Sequence, residues 1–116
     1  MKSANVTIER RDSAPVAHVR GEVDLPNSEA VRAEMLATLP IDGPGMIVDL
    51  TQTTYLDSSG VRVLFELAER LEADGQRLAL VVTEEALIRR VIVLTKLDDV
   101  VLLAPTVDEA LAALRN

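Results

Sequence analysis

Apolar and polar positions alternate in twos at the start of the chain, run together in its middle, and afterwards recur at helical spacing. Val6-Thr7-Ile8-Glu9-Arg10 alternates, as a strand with one wet face does. Arg11-Asp12-Ser13-Ala14 turns the chain and Pro15 opens a second strand, Val16 to Arg20, so the pair predicts a hairpin. Gly21 to Asn27 leaves that strand for a helix over about Ser28 to Leu39, with Val31, Met35, Leu36 and Leu39 on one side; Pro40, Gly43, Pro44 and Gly45 end it. Met46 to Leu50 is a short unbroken apolar run, the pattern of a strand covered on both faces. From Val61 the apolar residues Val61, Leu64, Phe65, Ala68 and Leu71 fall at helical spacing, leaving Arg62, Glu66, Glu69, Arg70 and Glu72 for solvent.

Gly75 then stands where a helix ends, and Arg77 to Val82 is the next buried strand. Thr83 is placed to cap a helix from Glu84 to about Leu94, with Leu87, Val91 and Leu94 sharing a face. A short strand, Val100 to Leu103, follows, and Thr106-Val107-Asp108-Glu109 reads as a capping box opening a last helix that presents Ala110, Leu111 and Leu114. The order is β-β-α-β-α-β-α-β-α. Strands alternating with helices predict an α/β domain with a mostly parallel sheet, here carrying an N-terminal hairpin. In such sheets ligands and partners meet the loops at the carboxyl ends of the strands. Asp24 follows the second strand and Asp57-Ser58 the third; if these strands are neighbours, both loops open on the same end.

Composition narrows what such a domain does. The 116 residues fit one domain over residues 1–116, and aromatics are 2% of them, so the core is built from Leu, Val, Ile and Ala. Base stacking has almost nothing to work with, and a net charge of −7 opposes binding to a phosphate backbone, so no direct nucleic-acid partner is expected. The absence of cysteine excludes disulfides and thiolate chemistry. No metal cluster or cofactor motif is present; His18, the one histidine, sits in the alternating run of the second strand and reads as a strand-surface residue. The beginning of the chain lacks an apolar leader, and no window approaches a membrane span, so a cytoplasmic protein without a membrane partner is expected.

The candidate chemistry lies where the period changes, at Asp57-Ser58-Ser59-Gly60. Two hydroxyls and a carboxylate fall at a helix N-terminus, where unpaired N–H groups point outward and the dipole is positive. A helix cap accounts for the carboxylate or one hydroxyl and leaves a second hydroxyl unexplained. A serine here can carry a phosphoryl group whose oxygens meet those N–H groups with little backbone movement.

Together with Gly21-Glu22-Val23-Asp24, the apolar strand ending in Asp49-Leu50, and Leu94-Thr95-Lys96-Leu97-Asp98-Asp99-Val100, this loop makes nearly the whole chain resemble the STAS domain family, and within it the bacterial anti-sigma factor antagonists. The resemblance implies that Ser58, directly after Asp57, is phosphorylated by a serine-kinase anti-sigma factor. It implies too that the unphosphorylated form binds that kinase and releases the sigma factor, and that a serine phosphatase restores the modified form. On this reading Asp24, Asp57, Ser59, Gly60 and Arg62 belong to the partner-binding surface. Pro26 and Lys96 depart from the family pattern: many relatives have small or polar residues at the first position and Gly at the second.

Other functions fit less well. A STAS subunit with a structural or regulatory place in another assembly, such as a lipid-transport complex or a stress-signalling particle, is the alternative within the family; retention of both short motifs favours the switch. A receiver domain phosphorylated on Asp57 would need an acidic pair after its first strand, and here that strand runs into a hairpin. An enzyme is not expected: Ser58 has no histidine base within the same region of the chain, and no catalytic residue is assigned.

Overall fold

The computed structural model describes residues 4–12 and 14–116; Met1, Lys2, Ser3 and Ser13, the last in the expected hairpin turn, lie outside the described residues. Ten elements follow in order: β1 (Asn5–Arg11), β2 (Ala14–Val23), α1 (Leu25–Ala37), β3 (Gly45–Leu56), α2 (Ser58–Ala73), β4 (Arg77–Val81), α3 (Leu87–Leu94), a 3-10 turn (Leu97–Asp99), β5 (Leu102–Ala104) and α4 (Val107–Arg115). They form one five-stranded sheet in the order β1-β2-β3-β4-β5. β1 pairs antiparallel with β2, and the other three pairings are parallel. The α/β architecture and its element order are those read from the sequence.

Both faces of the sheet are covered along β4 and the first half of β3, which explains why these central strands read as unbroken apolar runs. Along β3, Met46, Val48 and Leu50 point to one side and Ile47 to the other, because side chains alternate across a strand. The first side joins Val19 and Val23 of β2 and Leu78 and Leu80 of β4 with Val31 and Met35 of α1, Leu64, Leu67 and Leu71 of α2, and Ile88 and Ile92 of α3. The second gathers Ala14, Val16, Ile47, Ala79, Val81 and Ala104 under Ala110, Leu111 and Leu114 of α4. Thr106 caps α4, its hydroxyl accepting the Glu109 N–H at 3.1 Å, as the capping-box spacing indicates.

Among the boundaries that differ from the sequence reading, four have a local reason. Helix α1 begins at Leu25 rather than Ser28: Asp24 takes the cap position and Pro26 falls in the first turn, where its missing N–H costs nothing. Strand β3 continues to Leu56, beyond Leu50, through Thr51 to Tyr55, where β-branched and aromatic residues favour a strand although most are exposed; buried Thr53 donates its hydroxyl to the Val19 carbonyl at 2.8 Å. Only Asp57 therefore separates β3 from α2, which begins at Ser58 rather than Val61. Helix α3 starts at Leu87 with Ala86 at its cap position, not at Glu84 after Thr83. Its buried face is Ile88 and Ile92, while Leu87 and Leu94 are 77% and 80% exposed, so the helix is rotated relative to the expected apolar face. The last strand starts at Leu102, because Leu97–Asp99 winds into the 3-10 turn.

Candidate functional site

The carboxyl ends of β2 and β3 are adjacent because these strands pair in parallel down to Val23 opposite Leu56. The register slips between Gly21 and Glu22, and Gly21 there has φ 92°, a left-handed conformation that glycine adopts without a Cβ penalty. The Gly-Glu-Val-Asp segment thus turns into α1 with its backbone pinned by Asn27. The Asn27 side chain donates to the Glu22 carbonyl at 2.8 Å and accepts from the Asp24 N–H at 3.1 Å. Sequence reasoning missed Asn27; its spacing of three from Asp24 is the signal that could have found it.

Asp57 joins the two loops. Its N–H donates to the Val23 carbonyl at 3.2 Å, and its Oδ2 accepts the Leu25 N–H, also at 3.2 Å. Its other oxygen caps α2, accepting the N–H groups of Ser59 at 2.9 Å and Gly60 at 3.1 Å and the Ser59 hydroxyl. Burial works to raise the Asp57 carboxyl, but the Ser59 hydroxyl and the Gly60, Ser59 and Leu25 N–H groups outweigh it and hold the group below the ordinary carboxylate value. Asp57 is therefore an anion at neutral pH.

The two hydroxyls are not equivalent. Ser59 is half-buried and spends its proton on Asp57, whereas Ser58 is exposed on the first helical residue. The cap explains one serine and leaves the other facing solvent. The helix N-terminus is also less empty than its sequence implied: two of its outward N–H groups already belong to Asp57. An anion arriving at Ser58 meets a carboxylate as well as a dipole.

Asp24 stands at the same end, at the α1 cap position, with its Oδ1 buried and without a hydrogen-bond partner. Gly60 is buried, and a Cβ there would lie 2.6 Å from Leu56 Cδ1 and 3.0 Å from Val23 Cγ1. It reaches the site through its N–H alone. Arg62 is exposed on α2, while Leu64 is buried in the core. Two apolar side chains beside the capping residues are open: Leu25, 74% exposed, and Tyr55, 50% exposed. Neither was singled out from sequence, because periodicity does not tell an apolar residue at an element end from a core residue. No group of three or more potential metal ligands occurs among the described residues, and none of their helices is long and apolar enough to cross a membrane.

The adjoining ends of β2 and β3 thus bring an exposed serine, two acids and two exposed apolar side chains to one end of a mostly parallel sheet. The family model for the STAS domain matches residues 5–110, and the chain belongs to that family. Anti-sigma factor antagonists are among the proteins it is similar to. It is 31% identical over 112 residues to the anti-sigma-F factor antagonist RsfA of Mycobacterium tuberculosis, covering 92% of this chain and 84% of that protein. The crystal structure of an anti-sigma factor antagonist from Mycobacterium paratuberculosis superposes with a TM-score of 0.87 at 32% identity, covering 98% of this chain and 96% of the other. The fold is shared as well with the anti-sigma factor antagonist SpoIIAA in its unphosphorylated form, with a TM-score of 0.71, 21% identity, and coverage of 97% and 99%. SpoIIAA of Bacillus has also been solved in a phosphorylated form.

Proposed function

We propose that this chain is an anti-sigma factor antagonist that binds a serine-kinase anti-sigma factor while Ser58 is unmodified, releasing the sigma factor, and that phosphorylation of Ser58 ends the binding. The observation that carries the reading is the division of labour between the two hydroxyls: Ser59 is engaged by Asp57, and Ser58 is exposed. A kinase needs an accessible hydroxyl whose loss does not unpick the helix cap, and Ser58 meets both conditions. The surface around it suits a protein partner, with Leu25 and Tyr55 as apolar anchors and Asp24, Asp57 and Arg62 as charged contacts. Gly60 and Ser59 hold that surface in shape.

The switch follows from electrostatics. A phosphoryl group adds about −1.5 to −2 charges beside an ionised Asp57 that already occupies two N–H donors. The dianion would have to be desolvated at the interface against that carboxylate, and a loss of about 3 kcal/mol weakens binding roughly a hundredfold. A serine phosphatase resets the site. The exchange takes place in the cytoplasm, without nucleic acid in direct contact and without chemistry performed by this chain.

Incubation with the cognate kinase and ATP, followed by phosphopeptide mapping, tests the assignment. Phosphate is expected on Ser58, with Ser58→Ala unmodified yet still binding and Ser59→Ala still a substrate. Phosphate on Ser59, or undiminished labelling of Ser58→Ala, would overturn it. Asp24→Ala is expected to weaken kinase binding with the melting temperature within a few degrees of wild type, as for a loop-end substitution outside the core. Severe destabilisation with unchanged binding per folded molecule would make Asp24 structural.

A further inference from the structure

Away from the switch site, the sheet face that α4 leaves open carries a row of three ionisable side chains on three neighbouring strands. His18 of β2 lies between Glu9 of β1 and Asp49 of β3, with Nε2 2.5 Å from Glu9 Oε1 and Nδ1 2.7 Å from Asp49 Oδ2. A carboxylate only accepts, so both ring nitrogens must donate, and a neutral imidazole has one N–H for two acceptors. The arrangement is complete only with His18 as an imidazolium.

The two carboxylates are held differently. Asp49 is fixed: its side chain is 13% exposed and its Oδ1 accepts the Thr51 N–H at 3.0 Å and the Thr51 hydroxyl at 2.7 Å. Glu9 is 46% exposed on the edge strand. When His18 loses a proton, the remaining one stays on Nδ1 toward Asp49, and the Nε2 lone pair faces the Glu9 carboxylate. Glu9 is then the group that leaves.

We propose that Glu9, His18 and Asp49 form a proton-dependent tie that holds the middle of edge strand β1 against β2 and β3. Beyond its backbone ladder with β2, β1 has few side-chain contacts there: most of its residues are exposed, and only Val6 among them packs against the main core. Its far end is anchored by two further ion pairs, Arg11 with Asp108 of α4 at 2.6 Å and Asp12, just past the strand, with Arg115. Around the histidine, β1 supplies Glu9 and Thr7, β2 supplies Arg20, and β3 supplies Asp49, Thr51 and Gln52; Asp108 of α4 is engaged by Arg11. Partial burial lowers the His18 pKa, but the bonds and charges of Glu9 and Asp49 outweigh it and raise it above the ordinary 6.5. The stability from the tie is therefore complete below the ordinary histidine pKa and is lost as pH rises through the higher folded value. Loosening β1 uncovers the backbone edge of β2, a surface able to accept another strand.

Residue-resolved amide exchange across neutral to mildly alkaline pH, corrected for intrinsic rates, tests this beside an NMR titration of His18. Protection of β1 amides relative to those of β4 is expected to fall through the His18 midpoint. Glu9→Gln, whose side-chain amide can pair with a neutral ring, is expected to flatten that fall and to lower the midpoint. Constant relative protection in the wild type, an equal fall in Glu9→Gln, or a His18 midpoint at or below 6.5 would each overturn the proposal.

Discussion

At the scale of single residues, Asp57 and Gly60 set the terms of the switch end, and Lys96 is a strained position away from it. Asp57 both caps α2 and ties the two loops, so Asp57→Ala is expected to cost about 1 kcal/mol, the usual loss for a cap, measured by urea unfolding. Asp57→Asn keeps a capping oxygen and removes the charge. Because the folded carboxyl lies below its ordinary 3.8, the charge contributes stability in full above that value, and this is lost as pH falls through the folded pKa. The acid limb of the stability curve should accordingly be shallower in Asp57→Asn, and an unchanged limb would mean that Asp57 is not the group responsible. Gly60→Ala drives a methyl toward Leu56 and Val23 and is expected to cost about 1–3 kcal/mol, the range for overpacking. Lys96 has φ 65°, left-handed backbone where a side chain is strained. Lys96→Gly should raise the urea midpoint by about 1 kcal/mol of stability, with an unchanged slope. A lower midpoint would show that the lysine side chain outweighs its backbone strain.

At the scale of elements, periodicity was legible where a helix or strand is covered by its neighbours and misleading where it is not. The runs Met46 to Leu50 and Arg77 to Val82 gave the first part of β3 and the whole of β4, since burial on both faces leaves little room for polar residues. Helix α2 came out nearly whole because its apolar face packs on the sheet and its outer face is charged. Helix α3 did not: its eight residues are apolar nearly all round, so Leu87, Val91 and Leu94 suggested a face as readily as Ile88 and Ile92 did. Alanine substitution separates the two. Ile92→Ala is expected to cost about 2–5 kcal/mol, whereas Leu94→Ala at an exposed position should stay within about 0.5 kcal/mol. Equal losses would contradict the rotation of the helix. The bidentate pair of Arg32 on α1 with Glu66 on α2, both contacts at 2.7 Å, had no sequence signal, because the residues are far apart in the chain and each reads as a solvated charge. The Glu9-His18-Asp49 row was hidden for the same reason: it is made by strand pairing, and His18 read alone is only a strand residue.

At the scale of the whole molecule, the fold places Asp24 and Ser58 together by pairing β2 with β3 in parallel, and the two short motifs are legible as one site only after that pairing. Charge at the helix start does not choose between Ser58 and Ser59; the resemblance implies Ser58, and the proposal draws on the hydrogen bond that Ser59 gives to Asp57. A rigid cap under an exposed hydroxyl is suited to a switch that works by charge rather than by rearrangement. The most direct measurement is calorimetric titration of the cognate kinase anti-sigma factor with the unmodified chain and with the chain carrying phosphoserine at position 58. Tight binding of the unmodified chain, weakened about a hundredfold or more by the phosphate, is the predicted result. Equal affinity of the two forms would contradict the account.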